Sequence, residues 1–293
     1  MIPITRHLIT SVSRQLALTS VLVLGIPGLT LCASDEQIVD ELIDLSGLKQ
    51  QIPRLPNEYL TLVDQVLMGL ERQRHPVPKS LRRQIRQSFA DALASETLES
   101  QIHSRLLDAL SQDTTLATVT WLRSDLGKKI TAAEVNVGSP ERSVQLATFL
   151  LQLQLERPAP QRLQLVRRIE EITQGSEMAT QAWEAIVEAV ARALEGVFRG
   201  KNPQGKEQLE EYMASIRGSI KGMFQQGRLF EALFTYQTLT DDELQRYAEF
   251  LETPTGRDVT KTINGVVQGV AIDAIRNIQP LPFKNPLSPA DRA

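Results

Sequence analysis

A segment near the end of this chain repeats a segment that lies 129 positions earlier. Residues 110–131 and 239–260 align without a gap, and both contain a polar helix start, an aromatic residue followed by Leu, and a Ser or Thr three residues before a Gly. The matched pairs are Leu110 with Leu239, Ser111 with Thr240, Asp113 with Asp242, Trp121 with Phe250, Leu122 with Leu251, Ser124 with Thr253, Gly127 with Gly256, Lys128 with Arg257, Ile130 with Val259, and Thr131 with Thr260. This repeat predicts a chain built from two related halves.

The second copy opens with a helix-start signal. Thr240 is followed three residues later by Glu243, which is a capping-box pattern, and the acids at this start suit the positive end of a helix dipole. The helix that follows carries Leu244, Tyr247 and Leu251 on one stripe. A metal site built from these acids is the less favoured interpretation, because acids at a helix start already have a structural role.

Each copy then predicts a corner between two helices. Thr253 can cap a new helix with Pro254 at its first position, and Ser124 is the candidate cap in the first copy. Gly127 and Gly256 fall three residues after these caps, where Ala would be the better helix former. We therefore predict that each Gly allows a close contact with a neighbouring helix.

The whole chain has the pattern of an all-α, multi-helix bundle. Apolar residues recur at helical spacing, and no alternating strand with a hairpin turn occurs. A fainter match between residues 42–47 and 169–175 extends the repeat upstream. We predict a signal peptide at 1–33, a first helical half at 34–137, a connecting helix or linker at 138–163, a second half at 164–278 and an unstructured Pro-rich tail at 279–293.

Two further helix starts are predicted from single residues. Ser80 is a candidate N-cap for a helix through Leu81, Ile85 and Phe89. Ser139, followed by Pro at the first helical position, is a candidate N-cap for the next one.

The N-terminus has the composition of a secretory signal peptide. Arg6 and Arg14 precede an apolar stretch at 16–31, and the small residues Ala33 and Ser34 offer a cleavage position. We expect a periplasmic protein whose mature chain begins near residue 34 or 35. An uncleaved membrane anchor and a lipoprotein acylated at Cys32 remain as alternatives. The first is disfavoured because Gly and Pro interrupt a run shorter than about 20 residues, and the second because Leu31 precedes the cysteine.

Charge and cysteine content narrow the classes of partner. Without the leader the chain has 30 basic and 35 acidic residues, a net charge of −5, which argues against a nucleic-acid partner. Cys32 is the only cysteine and lies in or beside the leader, so the mature protein has no disulfide. Its stability must come from packing, in one large or two small domains.

No catalytic or cofactor motif stands out. The segment 200–206 matches most of a phosphate-binding loop, but Glu207 occupies the place of the magnesium-binding Ser or Thr, and a helix precedes it where a strand is required. His75 and His103 lie outside any metal-binding pattern, and no Gly-x-Ser-x-Gly elbow occurs. We expect no cofactor, no metal and no enzymatic activity.

Other chemical groups have simpler structural interpretations. The matched aromatic residues Trp121 and Phe250 are predicted to be buried at equivalent sites beside the two corners, in preference to lining a ligand pocket. The acidic pair Glu170 and Glu171 is predicted to lie on a solvated helix face, as is the pair at 210–211.

The segment 230–270 resembles a family of bacterial exported proteins known only as a domain of unknown function. The resemblance rests on the acidic helix start at 240–244 and on the aromatic residue, Thr, Pro and Gly of the corner at 250–257. Leu251 stands where a Tyr is common in the family. The resemblance implies a periplasmic helical protein and carries over no catalytic residue.

We therefore expect a non-enzymatic periplasmic helical protein that acts by binding another protein, in envelope maintenance or stress. The partner, the oligomeric state and any contact with lipid or the membrane surface stay open at this point. The alternative is a carrier of an apolar ligand or lipid in a helical cavity. A hydrolase with an unrecognised site is a third possibility. The residues on which we base the architecture are structural, namely Trp121, Ser124, Gly127, Thr240, Tyr247, Phe250, Leu251, Thr253, Pro254 and Gly256.

Overall fold

The described residues of the chain fold into helices, as the spacing of the apolar residues predicts. A computed structural model describes residues 34–72, 77–136, 140–201 and 220–281. Within these ranges every regular element is a helix, so the predicted all-α fold is confirmed. The predicted signal peptide, His75, Ser139, the acids at 210–211 and most of the predicted tail lie outside the described residues.

The helices follow one another closely along the sequence. Their bounds are α1 Asp35–Leu45, α2 Leu48–Gln51, a 3-10 turn Ile52–Arg54, α3 Leu55–Arg72, α4 Lys79–Ala92, α5 Ser95–Ala109, α6 Gln112–Leu122, α7 Asp125–Asn136, α8 Pro140–Leu155, α9 Pro160–Thr173, α10 Gly175–Lys201, α11 220–235, α12 Asp241–Glu252 and α13 Pro254–Arg276. The predicted linker at 138–163 therefore contains a helix, α8. The first residues of the loop-like segment at 200–206 lie in α10.

Three groups of buried apolar residues hold the helices together. The large core joins α3, α4 and α5 to α10 and α13, the second core joins α7 to α9, α11 and α12, and the small core joins α1 to α6. The first two cores each combine helices from both predicted halves. The described residues accordingly belong to one compact unit.

The two predicted corners have the same local geometry. Ser124 Oγ accepts a hydrogen bond from the backbone N–H of Gly127 at 3.0 Å, and Thr253 Oγ1 accepts one from the N–H of Gly256 at 2.9 Å. Pro254 occupies the first helical position of α13, where its missing N–H is not needed. Both caps are therefore confirmed.

Contacts between the corners are reciprocal. Lys129 on α7 forms an ion pair with Glu243 on α12, at 2.7 Å between Nζ and Oε2. The residues 129 positions away form the complementary contact, because Thr114 Oγ1 on α6 donates to Asp258 Oδ2 on α13 at 3.0 Å. Each corner thus places its second helix against the first helix of the other corner.

The upstream helices also pair in matched ways. Helix α1 packs on α6 and α9 packs on α12. Arg123 Nε at the end of α6 donates to Glu41 on α1 at 2.8 Å, and Arg168 Nε on α9 donates to Glu252 on α12 at 2.6 Å. Arg123 corresponds in position to Glu252, and Glu41 to Arg168, so both pairs of helices have an ion pair at the same place with the two charges exchanged. These contacts are what related halves would retain, although a repeat that covers the whole of each half stays a prediction.

The left-handed turns after α1 and α9 also correspond. Gly47 has a φ of +79° and Gln174 has a φ of +55°. They lie 127 positions apart, close to the 128 positions that separate the last residues of α1 and α9. Both turns let the chain reverse into the next helix.

One predicted cap is wrong. Helix α4 begins at Lys79, so Ser80 lies inside its first turn and Pro78 is the N-cap residue. The carbonyl oxygen of Pro78 accepts the first helical hydrogen bond, from the N–H of Arg82 at 2.9 Å. The predicted helix itself is present, and Leu81, Ile85 and Phe89 are its buried residues.

Candidate functional site

The matched aromatic residues meet each other where α6 and α12 come together. The rings of Trp121 and Phe250 stack at 4.0 Å between centroids and 10° between planes, and Tyr247 stacks on Trp121 at 5.6 Å. Trp121 and Phe250 are half-buried, whereas Tyr247 is buried. The prediction that both rings are buried is therefore wrong, because the reciprocal packing of the corners stacks each ring on its counterpart and leaves both only half-buried. Leu251 is buried, as predicted.

The start of α12 is a capping box, as predicted. Thr240 Oγ1 accepts from the N–H of Glu243 at 3.2 Å, and Glu243 Oε2 accepts from the N–H of Thr240 at 2.8 Å. The same carboxylate pairs with Lys129, and these contacts lower the pKa of Glu243. Glu243 therefore has a structural role at this helix start.

Gly127 and Gly256 lie against the ends of the helices that precede them. A Cβ at Gly256 would sit 2.0 Å from the backbone oxygen of Phe250, and a Cβ at Gly127 would sit 2.4 Å from the backbone oxygen of Trp121. Both distances are far below any van der Waals contact, and the neighbouring atoms belong to backbone. The predicted close approach is therefore present, and the neighbour is the preceding helix of the same corner.

A polar centre that sequence reasoning missed lies in the second core. The hydroxyls of Tyr236 and Tyr247 both donate to Glu134 Oε1, at 2.7 and 2.9 Å. Burial raises the pKa of Glu134, and the two hydroxyl donors lower it by less. Burial also raises the pKa of each tyrosine well above its usual value, and the adjacent carboxylate adds to this effect. The centre ties α7 to α12 and to the end of α11.

The residues matched to this polar centre are different in the other half. At the offset of 129, Glu134 corresponds to Ile263, Tyr236 to Leu107 and Tyr247 to Thr118. Ile and Leu cannot form the same hydrogen bonds. The polar centre is therefore a property of one half only, and a comparison of the matched positions is the sequence signal that could have found it.

Glu170 is another carboxylate that sequence reasoning misplaced. It is half-buried at the end of α9, and its Oε1 accepts from the N–H of Ser176 at 2.6 Å, in the first turn of α10. Glu171 is exposed, as predicted. The prediction for Glu170 is wrong because the left-handed turn at Gln174 folds α10 back onto α9 and brings a free helix N–H to this side chain.

We expect Glu134→Gln to change the pH dependence of stability. The folded protein binds a proton at Glu134 more tightly than the unfolded chain does, so this group stabilises the fold below about pH 4 and loses that contribution as the pH rises through its raised pKa. Gln stays neutral and still accepts from both hydroxyls. Urea unfolding should show the stability of the variant relative to wild type rising from pH 4 to pH 8. If the difference in stability between the variant and wild type stays constant over this pH range, burial does not raise the pKa of Glu134.

His103 makes an ordinary polar contact with a neighbouring helix. His103 Nε2 lies 2.9 Å from Asp40 Oδ1 in a pair that is partly exposed. In the ranges that the structure describes, no group of three or more His, Cys, Asp and Glu side chains is placed to hold a metal ion. None of the described helices combines the length and the hydropathy that a bilayer crossing needs.

An open depression lies beside the end of α3 and the start of α4. Its volume is about 660 Å³, and it is lined by Glu71, Lys79, Arg82 and Arg83. Arg82 is paired with Glu71. Charged walls of this kind do not match the apolar pocket that a lipid carrier requires.

Helix α8 presents apolar residues on two opposite faces. On its inner face Phe149 meets Phe234 at 5.4 Å between ring centroids, the Arg142 guanidinium lies 4.2 Å from the Phe234 centroid, and Leu153 packs on the second core. The outer face carries Val144, Leu151 and Leu155, which are 70%, 63% and 91% exposed.

We name the positions of this outer face the outer seam of α8. The outer seam comprises Val144, Thr148, Leu151 and Leu155. Their spacing of four, three and four residues is the a/d spacing of a coiled-coil helix. From residue 143 to residue 155 the helix has no charged side chain, although 23% of the chain is charged. A helix face that faced only water would normally be polar or charged.

No protein-family model, curated protein or solved structure matches this chain. The resemblance to an exported family of unknown function therefore stays a prediction. A function has to be inferred from the residues of the chain itself.

Proposed function

We propose that this chain is an exported, non-enzymatic helical protein that acts by binding another protein through the outer seam of α8. The observation that carries the proposal is the exposure of Val144, Leu151 and Leu155 along one uncharged helix face. Single exposed apolar residues are normal on a protein surface. Three of them aligned on one face form a patch of the kind that marks an interaction site.

The hydrophobic effect gives this surface a reason to be covered. Removing apolar surface from water stabilises a complex by roughly 25 cal/mol per Å². The inner face of α8 is already satisfied by Phe234 and the second core, so a rotation of the helix that buried the outer seam would expose Phe149 and Leu153. A partner can cover the outer seam without that exchange.

A protein fits this surface better than a membrane does. Helices that lie on anionic membranes carry Lys and Arg on their polar face. The exposed positions that flank the outer seam are Gln145, Ala147 and Gln152, which are uncharged. The charged depression at Glu71 and Arg82 likewise gives the alternative of an apolar carrier no support.

The polar centre at Glu134 is assigned a structural role in this proposal. Both tyrosine hydroxyls donate to the same carboxylate oxygen, so their donor capacity is already used. They fix the second core, on which the inner face of α8 packs. The centre therefore supports the interaction surface and takes no direct part in binding.

Site-specific photo-crosslinking in cells tests the proposal. A photoreactive benzophenone residue at position 151 should form a discrete protein adduct, because this position lies in the middle of the outer seam. The same residue at position 128, an exposed site on α7, is the matched control and should form no such adduct. Leu155→Glu should abolish the adduct at 151. Equal adducts at both positions, or none at 151, would contradict protein binding, and a lipid adduct at 151 would favour the carrier.

A further inference from the structure

We propose that the partner of the outer seam is a second copy of this chain, bound through an antiparallel pair of α8 helices. This proposal rests on the proposed function and adds the identity of the partner. Antiparallel pairing of one surface with itself gives a closed two-fold dimer, in which every contact occurs twice.

The outer seam is complementary to itself when it is reversed. In the antiparallel register Val144 of one copy lies opposite Leu155 of the other, and Thr148 lies opposite Leu151. Every layer then combines one larger and one smaller side chain. In a parallel pair each residue would face its own copy, so the two narrow layers of Val144 and Thr148 would lie at one end and the two wide layers of Leu151 and Leu155 at the other.

The residues beside the outer seam also match in this register. Gln145 of one copy lies next to Gln152 of the other, and both side chains are exposed in a single copy. A Gln side chain has both donors and an acceptor, so such a pair can satisfy itself. Ala147 leaves room on the other flank. Residues 143–155 are uncharged, so pairing two copies through this surface brings no like charges together, although the protein as a whole is negatively charged.

The small size of the surface limits the strength of the dimer. Helix α8 has 16 residues and is therefore about 24 Å long. One pair of such helices covers less than the 1,200 to 2,000 Å² that is typical of stable complexes. We therefore expect a reversible dimer with a dissociation constant of roughly 10 to 100 µM, in line with a small interface.

Sedimentation of the purified protein measures this equilibrium. Wild type should change from monomer to dimer as its concentration rises from about 1 µM to about 500 µM, a range that brackets the expected constant. Leu151→Glu places a charge in a seam layer and should raise the dissociation constant at least tenfold. Leu116→Glu changes an exposed Leu on α6 and is the matched control, which should dimerise like wild type. A wild-type protein that stays monomeric throughout would overturn the proposal.

Disulfide formation tests the register and orientation. In a Cys32→Ser background, we would mix a Thr148→Cys protein with a Leu151→Cys protein and oxidise them at 100 µM. The antiparallel dimer should give mainly the mixed disulfide between positions 148 and 151. A predominance of 148–148 and 151–151 disulfides would indicate parallel helices and would overturn the proposal.

The outcomes also separate this inference from the proposed function. If the protein stays monomeric but photo-crosslinking at position 151 captures a different protein, protein binding stands and self-association is wrong. If no protein is captured and no dimer forms, both are wrong. A crosslinked adduct with twice the mass of the chain, present only when position 151 carries the probe, would support both.

Discussion

Replacing Gly256 by Ala should lower the free energy of unfolding by about 3 kcal/mol or more, which is at the upper end for an overpacked site. The added Cβ would lie 2.0 Å from the backbone oxygen of Phe250 and 2.9 Å from the Cα of Leu251. A flexible side chain could move away, but these atoms belong to the end of α12. Relief of the contact therefore requires the whole corner to open, which also disturbs the cap formed by Thr253.

Two other glycines provide matched controls for this effect. Gly127→Ala should destabilise as well, but less, because its nearest backbone contact is 2.4 Å. Gly265 lies in the middle of α13 with no atom within 4 Å of its would-be Cβ, so Gly265→Ala should raise stability by up to about 1 kcal/mol through helix propensity. Denaturant unfolding of the three variants measures these differences. A Gly256→Ala protein as stable as Gly265→Ala would show that the corners do not depend on close approach.

Truncating Trp121 to Ala should cost about 2 to 3 kcal/mol. A fully buried aromatic residue costs about 3 to 5 kcal/mol when truncated to Ala. Trp121 is half-buried, which lowers the expected loss, but its ring is in contact with both Phe250 and Tyr247. The loss therefore reports on the junction of α6 with α12 and should appear as a lower midpoint in urea.

A double-mutant cycle isolates the stack itself. Trp121→Ala and Phe250→Ala together should cost less than the sum of the two single changes, by about 0.5 to 1.5 kcal/mol, since each single change already removes the stacking. The pair Trp121→Ala and Phe89→Leu, with Phe89 in the large core, should be additive. Additive losses for Trp121 and Phe250 would mean that the two rings do not interact in solution.

Local signals in the sequence predicted the elements that depend on neighbours in the chain. Thr240, Thr253 and Ser124 cap helices through hydrogen bonds to residues three positions ahead, so a short window of sequence contains both partners. Gly127 and Gly256 could be singled out for the same reason, because each lies three residues after the side chain that caps its helix. The helices themselves follow from the spacing of apolar residues.

Features that depend on distant partners could not be predicted in this way. Glu134 meets Tyr236 across more than 100 positions, and Trp121 meets Phe250 across 129. The sequence showed that the two corners match, but it did not show that they pack against each other. The sequence predicts equivalent buried sites for the two aromatic residues, whereas their contact with each other depends on that packing.

The outer seam of α8 escaped prediction for a different reason. Helix α8 is apolar nearly all round, so its pattern does not indicate which residues face the core. Only the contacts of Phe149 and Leu153 with the second core show that Val144, Leu151 and Leu155 point the other way. The exposure of those residues is a result of the fold, and it is the basis of the proposed function.

The solvent accessibility of position 155 in working cells tests the central claim, that the outer seam is covered by protein. In a Cys32→Ser background, Leu155→Cys would be labelled with a maleimide in intact cells and, separately, after purification to about 1 µM, well below the expected dissociation constant. Lys128→Cys is the control. We predict at least fivefold slower labelling of position 155 in cells than in dilute solution, with no such difference at position 128. Equal labelling rates for position 155 in both settings would show that the outer seam is bare and would contradict the account.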